Sequence, residues 1–202
     1  MSSVETVALL ERSVGYALGG LGDVTPEALG RATPCRGWDL GTLLRHTAES
    51  LDALLEAVDT GSVRLHPVPG PPPGRPGDDP AAVLVAAFRS GAVRLLGAWT
   101  AADDDRPVTV AGCPMRACLV AATGAIEIAV HAWDVGCATG NPRPIPPGLA
   151  DRLLDPASAL VTDATRDGLF APAVPLSGAA APADRLLAHL GRDPRAFQAR
   201  EA

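Results

Sequence analysis

One stretch constrains this chain more than any other. From 114 to 139 it is apolar on nearly every side of a helix, with Gly140 placed to stop it. Leu119, Ile126, Val130 and Trp133 share one lane of such a helix, and Val120, Gly124, Glu127, His131 and Asp134 share the next. A helix that is hydrophobic all round has no face to give to water, so it belongs at the centre of a fold. Its second lane is then a polar strip facing an interior, and Gly124 is expected to leave open space one turn before Glu127. Glu127 and His131 stand at i and i+4, which brings their β-carbons to about 5–6 Å on one face. Each is costly to bury alone, so the spacing implies a shared partner, and one ion gripped by both is the candidate.

The flanking segments supply helices to pack around this one. Ser2 and Glu5 have capping-box spacing, and Leu9, Leu10, Val14 and Leu18 follow at helical intervals, so a first helix is expected over 3–21. Asp39 is placed to cap a second helix, whose apolar face is Leu40, Leu43, Leu44, Leu51, Leu54, Leu55 and Val58, with His46 at its edge. Asp79 and Pro80 form an N-cap and N1 pair for a third. The acidic run Asp103, Asp104 and Asp105 ends that helix in a solvated turn. Residues 106–113 read as a short extended piece, and no β-sheet pattern is evident. Pro146 and Pro147 open a further helix, which Pro156 bends, and a last short helix stops at Gly191. Between them, 61–80 holds seven prolines and four glycines. This is a loop, read as a linker between helices, with a lid over a pocket as the alternative. The expected architecture is all-α: a single domain over 1–202 built as a four-helix bundle, with the Pro-rich loop at 61–80 and a tail at 166–202 carrying short additional helices.

Composition narrows the function. A chain of 202 residues that is 47% hydrophobic has enough apolar mass for a real core. A net charge of −6 argues against nucleic acid as a partner. All 17 basic residues are arginine, which removes lysine Schiff-base chemistry. The four cysteines show no C-x-x-C pair, as expected of reduced thiols in a cytoplasmic protein. No secretory leader is visible, and the most apolar stretch is interrupted by Glu127 and His131, so no membrane span is expected. A small molecule is the expected partner, and an apolar bundle of this kind leaves room for pairing as a homodimer.

With the second and fourth long helices side by side, His46 faces Glu127 and His131. Two imidazoles and one carboxylate suit zinc by default, and nickel or iron as well. Three protein ligands leave a coordination position free, whereas a structural zinc site has four. Water or a thiol would take that position. Asp134 is a candidate to steady a ligand from behind, and Arg192 a candidate to bind an anionic group of a cofactor, against the plainer reading of a surface arginine. Cys35 reads as a small residue in a turn, Trp38 and Trp133 as core, and His66 and His189 as bystanders.

The segments TPCRGWDLGTLLRHTAES (33–50), EIAVHAWDVGCATG (127–140) and DRLLAHLGRDP (184–194) resemble the DinB-like superfamily, and more closely its mycothiol-dependent maleylpyruvate isomerase-like branch of actinobacterial metal-binding proteins. The resemblance implies a DinB-type four-helix bundle holding a divalent metal, usually zinc, through His46, Glu127 and His131. It also implies a metal-dependent enzyme that activates a low-molecular-weight thiol for isomerisation or S-transfer. The prototype of the branch carries a further C-terminal domain where this chain has a short helical tail. Two other readings stay open: a thiol-independent Lewis-acid hydrolase, lyase or cyclase, and a non-catalytic metal- or small-molecule-binding protein.

Overall fold

Four long helices carry the fold: α1 (Ser3–Gly20), α2 (Leu40–Thr60), α3 (Pro80–Thr100) and α4 (Ala117–Thr139). The structure, a computed structural model, describes residues 3–63, 77–101, 106–168, 170–176 and 179–198. Helix α4 packs against both α1 and α2, and α3 closes the ring by packing on the same two. This is the expected four-helix bundle. Nearly every residue of α4 is buried, the smaller ones (Ala121, Ala125, Ala129) completely. Small residues on α4 let its neighbours come close on all sides.

Local chemistry sets the helix ends. Asp39 caps α2 by accepting a hydrogen bond from the Thr42 backbone N–H at 2.7 Å, and Asp79 caps α3 through Ala81 and Ala82. Gly61 and Gly140 end α2 and α4 in the left-handed region, at φ 69° and 86°. Ser2 of the expected capping box, most of the 61–80 loop with His66, and the acidic run at 103–105 lie outside the described residues.

Two expectations are corrected. First, Cys113–Arg116 is not helical. It forms strand β3, antiparallel to β2 (Pro107–Val110), and β1 (Ser62–Val63) pairs parallel with β2. Ala111 and Gly112 make the two-residue hairpin turn, both at positive φ (48° and 84°). Strands this short carry too little alternation to be read from sequence. Second, Gly124 does not leave open space. Leu54 of α2 occupies it, and a Cβ built on Gly124 would lie 2.8 Å from Leu54 Cδ2. The glycine lets α2 approach α4 one turn before Glu127.

By length and composition alone, α3 and α4 are both apolar enough to cross a membrane, which the sequence reading did not expect. In α4, 78% of the most apolar window is buried inside the protein, so packing already uses that apolarity. For α3 the share is 39%.

Beyond the bundle come α5 (Pro147–Leu160), which contains Pro156, a single turn α6 (Asp163–Arg166), α7 (Pro182–His189) and the short α8 (Arg195–Gln198). Helix α7 packs on α5. It ends in a Schellman motif: Gly191 N–H donates to Ala188 O at 3.1 Å and Arg192 N–H to Leu187 O at 2.9 Å, with Gly191 at φ 80°. A Cβ on Gly191 would lie 2.6 Å from the Ala171 carbonyl oxygen, so that position admits only glycine.

Two stability outcomes are expected. Gly191→Ala combines left-handed strain with a backbone clash and destabilises by about 2–3 kcal/mol, read from the midpoint of chemical denaturation. Asp39→Ala costs about 1 kcal/mol at neutral pH. Hydrogen bonds from Thr42 hold the Asp39 carboxyl below its ordinary 3.8, so its contribution is full above that value and is lost as pH falls through the depressed folded value. The difference between wild type and Asp39→Ala should therefore shrink in acid; a constant difference down to the lowest folded pH would contradict the cap.

Candidate functional site

The α2–α4 contact brings the sequence-predicted residues together. Glu127 Oε2 lies 3.0 Å from His131 Nε2 on its own helix and 3.7 Å from His46 Nε2 across the interface. The two imidazole rings meet edge to face, with centroids 5.2 Å apart. The three donor atoms all fall within 4.8 Å of one another. A tetrahedral metal with bonds near 2.0–2.1 Å separates its ligand atoms by roughly 3.3 Å, so separations of 3.0 and 3.7 Å bracket what one ion requires. His46 and Glu127 keep 35% and 30% of their side-chain surface exposed, which leaves this corner open to small molecules.

Behind it lies a second layer that is closed to water. Asp134 is fully buried, and its Oδ2 lies 2.9 Å from His131 Nδ1. One turn before and one turn after it, the helix gives His131 a carboxylate: Glu127 at Nε2 and Asp134 at Nδ1. With Nδ1–H donated to Asp134, Nε2 is the atom left to point at an ion, the arrangement that orients metal-bound histidines generally.

The charges are mutually dependent. Burial works against each ionised form, and the partners overrule it. Burial alone would raise the Glu127 carboxyl, but the close contact with His131 and the nearby His46 imidazole hold it far below the usual carboxylate range. Burial would lower His131, but Asp134, Cys35 and Glu127 keep it protonated well above its ordinary 6.5. Asp134 is likewise held low by His131 and Arg192 against the cost of burial. His131 is thus clamped between two carboxylates, Glu127 and Asp134.

Arg192 and Trp38 depart from expectation, and Cys35 has more contacts than its place in a turn implied. Arg192 is not on the surface. Its side chain is only 12% exposed, and its Nη2 lies 3.1 Å from Asp134 Oδ2. Cys35 sits in a turn, as expected, and its Sγ stands 3.2 Å from Asp134 Oδ2, 3.3 Å from Arg192 Nη2 and 3.7 Å from His131 Nδ1. Cys35, His131 and Asp134 could together be drawn as a second metal set, but the guanidinium touching two of them fills that place with a fixed positive charge. Trp38 is half-buried and stacks edgewise on His46 at 4.8 Å, walling one side of the corner, whereas Trp133 is core as expected. His189 reaches the Ala157 carbonyl oxygen at 3.3 Å, away from the site.

The turn that delivers Cys35 and Trp38 is built locally. Thr33 N–H donates to Trp38 O, Thr33 Oγ1 bonds the same oxygen at 2.9 Å, Trp38 N–H returns to Cys35 O, and Gly37 takes φ 81°. Its compact T-P-C-R-G-W composition, immediately before the Asp39 cap, was the one available hint that these side chains are held in place.

Residues 11–136 match the family model described as the mycothiol maleylpyruvate isomerase N-terminal domain. Two uncharacterized proteins from strains of Mycobacterium tuberculosis, MT0763 and Rv0738, are each 29% identical over 180 residues, covering 87% of this chain and 91% of theirs. Among solved structures, the mycothiol-dependent maleylpyruvate isomerase superposes with a TM-score of 0.58 at 18% identity, covering 79% of this chain and 70% of that one. A mutant of that enzyme superposes with a TM-score of 0.59 at 19% identity, over 85% and 75% of the two chains. At such identities the solved structures establish the shared fold, a DinB-like helical bundle. The family match spans more than half of the sequence and takes in all three residues of the His46–Glu127–His131 corner: the chain belongs to the mycothiol maleylpyruvate isomerase N-terminal domain family.

Proposed function

We propose that this protein is a divalent-metal-dependent enzyme that activates a low-molecular-weight thiol of the mycothiol type for isomerisation or S-transfer on a small electrophilic substrate. One observation carries the reading. His46 Nε2, Glu127 Oε2 and His131 Nε2 converge at a solvent-reachable corner while the other nitrogen of His131 is committed to Asp134. Family membership supports the thiol, because the solved relatives are mycothiol-dependent by name. The donor set suits zinc best and also accepts nickel or iron. When bound, such an ion supplies Lewis acidity and lowers the pKa of a thiol or water at its open position; a free thiol, with a pKa of about 8.5, is otherwise mostly protonated at neutral pH.

The chain's own residues supply the rest. Glu127 provides the negative charge of the ligand set, and the two imidazoles provide neutral donors. Asp134 orients His131 by accepting its Nδ1–H. Trp38 shields one flank of His46 from water. An apolar recess lined by Leu44, Phe88, Ile128 and Val135 reaches His131 from the bundle interior. In this reading the whole chain, 1–202, acts as one unit, because the segment after α7 brings Arg192 to Asp134.

The test is metal analysis combined with thiol titration of cobalt-substituted protein. Stoichiometric metal and a thiol-dependent change in the visible cobalt bands are expected. Metal binding without any response to thiol would replace this reading with thiol-independent Lewis-acid chemistry. Full stability with no metal affinity would overturn both. His46→Ala is expected to lose bound metal on gel filtration while keeping its helical circular dichroism; unchanged metal content would remove His46 from the site.

A further inference from the structure

We infer that Ser50 is a ligand-binding residue beside the α2–α4 corner: its hydroxyl holds an uncharged oxygen, a hydroxyl or an amide carbonyl, carried by the small thiol about one helical turn from its sulfur. The inference rests on the metal and thiol reading above and adds a recognition element to it.

Two contacts between α2 and α4 fix where Ser50 lies. At one of them His46 meets α4, with its Nε2 3.7 Å from Glu127 Oε2 and its ring 5.2 Å from that of His131. At the other, two turns further along α2, Leu54 occupies the space in front of Gly124. Residue numbers rise on α2 as they fall on α4, so the two helices run antiparallel along this seam. Ser50 stands four residues after His46 and four before Leu54. Residues four apart share a helix face, which puts Ser50 on the same seam, between the metal corner and the Leu54–Gly124 contact. Its Cα is about 6 Å from that of His46 along the helix axis. Ser50 is half-buried, as are His46 and Glu127, whereas Leu54 and Gly124 are buried. The seam is therefore open to small molecules as far as Ser50 and closed one turn beyond it.

The other hydroxyls of the two helices are in use. Thr42 Oγ1 accepts from Arg45 Nη2 at 3.2 Å. Thr47 donates to Leu44 O, Thr60 to Glu56 O and Thr123 to Leu119 O, each at 2.9 Å, and Thr139 donates to Gly136 O at 3.1 Å. Such hydroxyls return their proton to a carbonyl three or four residues earlier on the same helix. Among the described residues, no group makes a hydrogen bond with the Ser50 hydroxyl. Its donor is free, and it stands one turn from the candidate ligand His46. A serine offers a hydrogen bond and no charge, and Glu127 across the seam is itself a carboxylate, so the oxygen that fits is a neutral one. With sulfur at the metal corner, an oxygen three carbons away reaches about one helical turn, roughly 5.4 Å, which is the spacing that Ser50 requires.

The experiment uses cobalt-substituted wild type and Ser50→Ala with two probes of equal length, 3-mercapto-1-propanol and 1-butanethiol, which differ by a hydroxyl in place of a methyl group. Each dissociation constant is read from the thiolate-to-cobalt absorption band. In Ser50→Ala the preference for the hydroxylated thiol over its alkyl counterpart is expected to fall about 3–10-fold, the worth of one neutral hydrogen bond. Cobalt content and butanethiol affinity should stay within about twofold of wild type. A preference that changes by less than about twofold overturns the inference. Equal weakening of both thiols also overturns it, because Ser50 would then act through packing alone. Failure of the reading beneath is seen separately: wild type that takes up no cobalt, or that gives no band with either thiol, removes the metal or the thiol reading and this inference with it.

Discussion

A carboxylate buried without access to water, Asp134, is the constraint to which the rest of the site answers. It sits on the most apolar helix of the protein, where an unpaired charge would cost more than a small fold can spare. Its oxygens are therefore met by groups from three places: His131 on the same helix, Arg192 from beyond α7 and Cys35 from the turn before α2. Once His131 is held at Nδ1, its Nε2 has one direction to face, toward Glu127 and His46. The geometry of the open corner is thus inherited from a closed one behind it.

The two layers differ in what they can exchange with solvent. Asp134 is fully buried and His131 is 8% exposed, while Glu127 and His46 keep about a third of their side-chain surface. Fixed charges lie inside, where low dielectric strengthens them and nothing competes. Replaceable interactions lie outside, where a small molecule can arrive. A site of this kind orients its ligands before anything binds, so little reorganisation is needed when it does.

Backbone details of a few residues make that convergence possible. Gly124 lets Leu54 seat against α4, which sets how near His46 comes to Glu127. Gly37 closes the turn that brings Trp38 to His46 and Cys35 to Asp134, and Gly191 turns the chain so that Arg192 points inward. In the last two cases glycine is required by a positive φ, and at Gly191 also by the carbonyl of Ala171 close by.

Much of this was legible in the sequence. The near-continuous apolarity of α4 required burial, and helical periodicity then required Glu127, His131 and Asp134 to share a strip, because residues three and four apart always do. Asp39, Asp79, Gly61 and Gly140 mark helix ends by local hydrogen bonding alone, and those boundaries follow without any tertiary knowledge. Family motifs tied His46 to the same set. What periodicity could not supply was anything that depends on two distant segments meeting. The short β-hairpin at 107–116 comes from strands too short to show a pattern, and the filling of Gly124 by Leu54 and the inward turn of Arg192 and Cys35 onto Asp134 arise from contacts across 58 residues or more. Local sequence sets which face of a helix a charge occupies; only the packed chain decides which opposite charge comes to meet it, because a buried carboxylate selects its partner by proximity in space.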